Sequence, residues 1–526
     1  MLSRREFVAG AVAAVAAPRL SKAQSKNVLR FVPRTDLGVL DPIWSSAIVT
    51  RNHAFLVYDT LFGLDASFKP QPQMVQGYTV SDDHLTWRLV LRDGLKWHDG
   101  EPVLARDCES SIRRWGARDA YGQALLAATN ELSCPDDKTI LFQLKTPFPF
   151  LPNALGKSAM LMPAMMPKRI ADVGPGKQAS EIIGSGPFRF IASERVPGSK
   201  IVYERFAGYM PRGSGEPSRV AGPKMAHFDR VEWVIMPDPG TAVAALQAGE
   251  VDWLDIAPVD LVPVLKGNPD VKVGVPDPNG MMPIFRMNHL QAPFNNQKIR
   301  QALLKAFDQK EFLIASAGED PAMWRDHVGF FCPKTPLASD AGLEFLTGPR
   351  DLNAAKNEII AAGYKGEPVV LIVASDFPAL RALADVAAET MKKIGMNVDY
   401  RSMDWGTVQQ VRNKKDPADQ GGWSCFCTNW EGTDMVDPAG HLSLRGNGLQ
   451  SWYGWPTDDK LETLRASWFS AKDTAEEKKI AEDMQREALI SVPYIPLGQY
   501  FQPTAYRTDL RDMLPGFAMF WNVRRA

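Results

Sequence analysis

The chain has 526 residues, with 60 Lys+Arg against 61 Asp+Glu and 45% hydrophobic residues. This is too apolar for a disordered chain, and the length holds roughly two to four domains. A net charge of −1 leaves no basic footprint for nucleic acid, and 40 Gly with 40 Pro argue against a coiled coil or helical solenoid.

Residues 1–23 read as a targeting segment rather than part of the fold. A basic start precedes an apolar run, Phe7 to Ala17, that is too short to span a bilayer. Ser21 and Ala23 put small residues at the −3 and −1 positions of a cleavage point before Gln24. Ser3-Arg4-Arg5-Glu6-Phe7 resembles the twin-arginine export signal, and Arg19 and Lys22 behind the apolar run fit that route. A buried N-terminal helix is the competing reading, and the charges flanking a Gly/Ala-rich run count against it. Cleavage would remove four basic residues and Glu6, taking the net charge to −4. No cysteine precedes Cys108, and no later stretch is apolar for about 18 residues. The expectation is a mature protein free in a Gram-negative periplasm.

That compartment is oxidising, so Cys108, Cys134, Cys332, Cys425 and Cys427 are open to disulfide formation, with an odd thiol left over. Cys425 and Cys427 share one face of a predicted strand with no second Cys or His cluster beside them. Buried small hydrophobes are the better reading than a metal site.

In chain order, Asn27 to Pro33 is a predicted strand. Trp87, Leu89 and Leu91 alternate with Arg88 and Arg92, the mark of a half-buried strand. Asp93-Gly94 is then a hairpin turn, with Leu95 and Trp97 beginning the return. A helix is expected over Ala105 to Trp115. Another starts at Thr241 as N-cap and stops at Gly249, followed by a strand over Val251 to Asp255. Met282 to Asn288 is a strand. After it, Ile299, Ala302, Leu303, Ala306 and Phe307 take helical spacing. Asn353 to Ala362 and Ala379 to Ile394 are helices, each preceding a strand, at Val369 to Val373 and Met396 to Arg401. A last helix covers about Glu476 to Leu489. The class is α/β, without repeats.

A search for catalytic motifs finds no HExxH, GxSxG, GxxxxGK[ST] or GxGxxG opening a helix after a strand. The seven His are scattered, and none pairs at metal-ligand spacing. Gly184-Ser-Gly186 and His98 read as turn chemistry. Neither an enzyme nor a metal or other cofactor is expected. Recognition chemistry is present instead. Trp405, Trp423, Trp430, Trp452 and Trp455 crowd into about fifty residues with Asp404, Asp434 and Asp437. Indole faces and carboxylates suit a ligand with an apolar part and a positive group, although each Trp suits a core equally well.

Tyr58-Asp-Thr-Leu-Phe62, followed by the run Trp87 to Pro102 (WRLVLRDGLKWHDGEP), resembles the signature of the extracellular solute-binding proteins of family 5. These are the dipeptide, oligopeptide and nickel-chelate receptors of ABC importers. Ala105-Arg-Asp107, Gly184 to Phe188, Gly249 to Asp252, Pro293 to Ala302, Ala306 to Asp308, Asp351 to Tyr364 and Trp430 to Pro438 extend the resemblance in order over nearly the whole mature chain.

The resemblance implies a two-lobed α/β clamp, class II-like and of cluster C, with an extra inserted domain. The first lobe would comprise 24–64, 181–281 and 491–526, the inserted domain 65–180 and the second lobe 282–490. Hinge crossings are expected near Met282–Asn288 and Pro493–Gly498. In peptide-binding members an aspartate after the Trp430 block holds the ligand's α-amino group. Asp434 matches best, although Thr433 takes the neighbouring register and the spacing to Asp437-Pro438 is one residue longer. Arg286 is set to take a ligand carboxylate or to pair with a local acid. The implied partners are a peptide-like solute and an inner-membrane ABC permease and ATPase complex, with the receptor a monomer. Alternatives are an opine, glycoside or metal-chelate ligand, a twin-arginine-exported redox enzyme, or a periplasmic sensor or chaperone.

Overall fold

The computed structural model describes residues 27–526; the expected signal, with Arg4, Arg5 and the cleavage point near Ala23, lies outside the described residues. Val28–Val32 is a strand with Leu29 and Phe31 buried on one face and Arg30 exposed on the other. It lies mid-sheet, parallel to Arg230–Val234 and Trp253–Leu254. Phe188–Phe190, Lys200–Arg205, Val271–Gly274 and Thr504–Arg507 complete seven strands, so one sheet draws on the beginning, middle and end of the chain. Phe31, Trp233, Trp253 and Phe520 interlock against it with ring centroids 5.0 to 5.7 Å apart.

Between the first strand and the rest of that sheet the chain builds a separate antiparallel sheet, in the order Val75–Val80, Thr86–Leu91, Thr139–Leu144, Thr129–Ser133. Trp87, Leu89 and Leu91 point into its core, as their alternation requires. The expected return strand at Leu95 and Trp97 does not form. Lys96 makes a single bridge to Pro102, because Thr86–Leu91 already has partners on both edges. The helix Ala105–Gly116 covers this sheet, and Asp107 in its first turn accepts from Leu104 N at 3.0 Å and Trp97 Nε1 at 3.3 Å.

A second seven-stranded sheet carries the other lobe. Its path is Trp324–Arg325, Gln499–Tyr500, Met281–Met287, Cys425–Glu431, Pro368–Ala374, Asn397–Met403, with Tyr494–Pro496 also paired to Met281–Met287. Met281–Met287 and Cys425–Glu431 run antiparallel in unbroken register, from Met281 opposite Glu431 to Met287 opposite Cys425. Val369 to Ala374 is buried throughout, as expected of a strand covered on both faces. Gln297–Ala306 buries Ile299, Ala302, Leu303 and Ala306, and Pro378–Lys393 packs across the strands. Cys425 and Cys427 are buried on one face, and all five cysteines are unpaired.

Three local expectations change. Asp238, not Thr241, caps the helix Pro239–Ala248: its carboxylate accepts from Thr241 N at 2.7 Å, and Gly249 ends the helix at φ +74°. The strands expected to cross between lobes both lie inside the second sheet; the chain passes between the sheets at 275–280 and 501–503. Gly184-Ser-Gly186 is a docking contact more than a turn. Gly186 N donates to Val57 O at 2.8 Å, and a Cβ at Gly184 would run into the same carbonyl. His98 joins them, 3.0 Å from Gly186 O, and burial lowers its pKa to about 4, keeping the imidazole neutral.

Candidate functional site

The first-lobe helix Ile48–Val57 carries Arg51, and the second-lobe strand Cys425–Glu431 ends at Glu431. The two meet as a buried bidentate pair: Arg51 Nη2 donates to Glu431 Oε1 at 3.0 Å and Nη1 donates to Oε2. Asn52 Oδ1 accepts from Arg51 Nη2 at 2.8 Å, and Phe517 lies 4.0 Å from the guanidinium carbon. A charge pair this deeply buried is tolerable only when both partners are fully engaged. Neither residue was singled out by the sequence, because pairing across 380 positions leaves no local signal.

Immediately after Glu431 the backbone makes a tight 3-10 turn, Gly432–Met435. Gly432 is required there, since a Cβ would run into Asn279 O and Cys332 Sγ. Asp434 is buried in this turn, and both oxygens are engaged by backbone N–H groups: Met160 N at 3.1 Å and Glu431 N at 3.3 Å. Burial, reinforced by the Glu431 charge, raises its pKa to about 6, against the opposing pull of Arg51 and Lys157. Thr433 beside it keeps a buried hydroxyl without a hydrogen-bond partner. Further contacts close the same seam: Phe150 stacks on Trp468 at 4.2 Å and Phe148 on Phe469 at 5.5 Å.

Arg286 is not available to a ligand carboxylate in this arrangement, nor does it pair with an acid. It is wholly buried and donates to four backbone carbonyls, those of Ser443 (2.9 Å), Pro493 (3.0 Å), Trp452 (2.9 Å) and Tyr453. Burial lowers its pKa to about 9. The residue knits the loops around 443–453 to the strand Met281–Met287.

The tryptophans divide into two sets. Trp423, Trp430 and Trp455 are buried, the first and last 5.8 Å apart, while Trp405 and Trp452 are partly exposed. Trp405 and Trp452, with Tyr453, gather around a residue the sequence reading passed over, Arg412. Its guanidinium lies 4.6 Å from Tyr453, 5.2 Å from Trp405 and 5.5 Å from Trp452. Trp430 meets Trp452 edge-on at 5.0 Å, and neither indole N–H has a hydrogen-bond partner. Arg412 Nε is likewise buried without a partner, and no carboxylate pairs with Arg412 among the described residues. One signal was readable: Arg412 stands seven positions after Trp405, on the same side of the helix Trp405–Val411 and its extension. The arrangement offers stacking surfaces and unused donors. Among the described residues no group of three His, Cys, Asp or Glu is placed to hold a metal ion, and no helix is long and apolar enough to cross a membrane.

The sequence profile of the bacterial extracellular solute-binding proteins, family 5 (middle), matches residues 69–449. The chain belongs to this family. A probable peptide ABC transporter periplasmic-binding protein of Sinorhizobium fredii is 38% identical over 534 residues, covering 100% of both chains. A glutathione-binding protein of Pectobacterium atrosepticum is 26% identical over 514 residues, covering 94% of this chain and 92% of that protein. Among solved structures, the PBP AgaA of A. tumefaciens R10 in complex with agropinic acid superposes with a TM-score of 0.79 at 20% identity, covering 95% of this chain and 99% of that one. The periplasmic binding protein DppA of Helicobacter pylori in complex with the peptide STSA gives 0.78 at 20%, covering 95% and 98%. The fold is therefore the two-lobed one of family 5, with the Arg51–Glu431 seam between its lobes.

Proposed function

We propose that this family 5 protein captures a peptide or peptide-like solute between its lobes and delivers it to an inner-membrane ABC permease and ATPase complex. The observation that carries this reading is the seam itself. The Arg51–Glu431 pair closes the boundary between the two lobes, and on the second lobe Arg412, Trp430 and Trp452 keep buried N–H groups without a hydrogen-bond partner. The end-to-end likeness to a peptide transporter's binding protein supports the same class of solute. The moving units are taken as 24–64 with 181–281 and 491–526, then 65–180, then 282–490.

In this reading Trp405 and Trp430 supply the apolar wall, and Arg412 takes a carboxylate in its aromatic cage. Asp434 receives a ligand amine once the lobes open and release Met160 N. Arg286 acts indirectly, by holding the loop that carries Trp452. The protein acts as a cofactor-free, non-catalytic monomer, exported through Arg4-Arg5 and cleaved near Ala23. Mass spectrometry of material released from denatured protein, followed by calorimetric titration with that compound, tests the reading. Recovery of an opine, a glycoside or a metal chelate in place of a peptide would overturn the ligand class.

A further inference from the structure

Arg219 stands at the same seam on the first lobe, and no partner in the chain accounts for it. It is 3% exposed, yet Nε and Nη2 are both buried without a hydrogen-bond partner. No carboxylate among the described residues lies within ion-pair distance of it. The nearest influences are Asp277 and Glu431, which stabilise its charge, and Arg51, which opposes it; burial outweighs them and lowers its pKa. Asp277 is engaged in a turn of its own, its Oδ1 accepting from Asn279 N at 2.9 Å and Asn279 Nδ2 at 3.1 Å. The Phe68 ring lies 5.1 Å from the guanidinium carbon. A ring face attracts the cation as a whole but accepts nothing from N–H groups directed in the guanidinium plane.

The backbone holds this side chain in place at a cost. Arg219 has φ +51°, a left-handed conformation disfavoured for a residue with a Cβ. It is a central residue of a turn closed on both sides, Ser218 N to Ala221 O at 3.1 Å and Ala221 N to Ser218 O at 2.9 Å. The turn is clamped in turn by Ala66 N, which donates to Ser218 Oγ at 2.9 Å, and by Gly63, which lacks the Cβ that would strike Val220 O. A strained backbone, a desolvated cation and two idle donors in one residue are hard to explain as packing alone.

We infer that Arg219 is an anchoring site for a carboxylate group of the bound solute, presented by the first lobe. Nε and Nη2 form one edge of the guanidinium, and two parallel N–H bonds from that edge match the two oxygens of a carboxylate. Arg34 shows the same edge in use nearby, donating from Nε at 2.8 Å and Nη2 at 3.1 Å to the two oxygens of Asp255. The inference deepens the proposed function and rests on it for the nature of the solute, but not for the chemistry of the group held.

The test uses two probes on the full mature chain, wild type and Arg219→Gln, with circular dichroism confirming the fold. Glutathione and its diethyl ester are titrated calorimetrically, and sodium acetate is compared with sodium chloride at equal ionic strength in thermal melts. The expected result is that glutathione binds wild type, that its ester and Arg219→Gln each lose about 30-fold or more, and that the two losses are not additive. Acetate should stabilise wild type more than Arg219→Gln, which keeps Arg412. If acetate discriminates between the proteins while glutathione binds neither, the peptide-like ligand is wrong and the carboxylate site stands. Equal responses of the two proteins to both probes overturn the inference. Should Arg219→Gln fail to fold, Arg219→Lys decides in its place: it keeps the charge but loses the two-pronged edge, so wild-type affinity for glutathione in that variant would overturn the inference as well.

Discussion

Arg51 and Glu431 are 380 positions apart and close a buried two-pronged ion pair across the boundary between the lobes. Each is buried, with side chains 1% and 4% exposed, and would meet water if the lobes parted. The pair therefore joins the two lobes to each other rather than holding either one together.

Glu431→Gln should loosen closure without unfolding the lobes. Breaking a buried pair by removing one charge costs about 3–5 kcal/mol, because the remaining Arg51 stays desolvated. Opening relieves that cost, so the variant should scatter as a larger particle, with the radius of gyration greater by about an ångström. Solute affinity should fall, since binding must first restore closure. Small-angle scattering of both proteins checks this; identical curves would remove the pair from the closure mechanism.

Asp434 should make acid favourable to stability over a defined window. Its folded pKa, about 6, is above the ordinary carboxylate value of 3.8, so between those values the folded state binds a proton that the unfolded state does not. This contribution falls as pH rises through that window, by about 1.4 kcal/mol per unit at most. Buried neutral histidines act oppositely: His441 and His53 are lowered by burial to about 3, so they cost stability as pH falls below 6.5. The difference between wild type and Asp434→Asn isolates the carboxylate. Thermal melts from pH 4 to 7 should show the variant gaining on wild type as pH rises; parallel profiles would contradict the raised pKa.

Arg286→Lys should damage the second lobe rather than recognition. A lysine cannot serve four carbonyls in different directions, and each buried acceptor left unmade is costly. A loss of about 2–4 kcal/mol is expected in denaturant titration. The folded fraction should lose affinity only modestly, as far as the loop carrying Trp452 and Tyr453 shifts. A large affinity loss at normal stability would return Arg286 to the ligand.

Arg4-Arg5 changed to Lys-Lys should leave the precursor in the cytoplasm, because paired guanidinium groups are what the twin-arginine route reads. Cell fractionation and immunoblotting check this. Mature protein at normal periplasmic levels would exclude that route.

Solute binding should change the intrinsic fluorescence of Trp405 and Trp452, which lie against Arg412, and of Trp430, which meets Trp452, with one solute per chain. It should also raise the melting temperature, since the solute binds only the folded state. Arg412→Gln should weaken carboxylate-bearing solutes and leave the core pair Trp423 and Trp455 undisturbed. An unchanged affinity would exclude Arg412 from the site.

Local periodicity carried much of the architecture. The alternation of Trp87, Leu89 and Leu91, the helical spacing from Ile299 to Ala306 and the stop at Gly249 all reappear in the structure. Each depends only on residues a few positions apart, where one buried face selects one pattern. Chain-long motif order was likewise legible, and with it the family. The seam was not. Arg286 reads as a cleft residue until four carbonyls from three distant loops are found around it. Asp434 reads as an open anchor until Met160 arrives from a distant part of the chain. Arg51, Glu431, Arg219 and Arg412 are ordinary charged residues by sequence. What makes them informative is desolvation and the presence or absence of a partner, and both are set by segments hundreds of residues away that only the tertiary structure brings together.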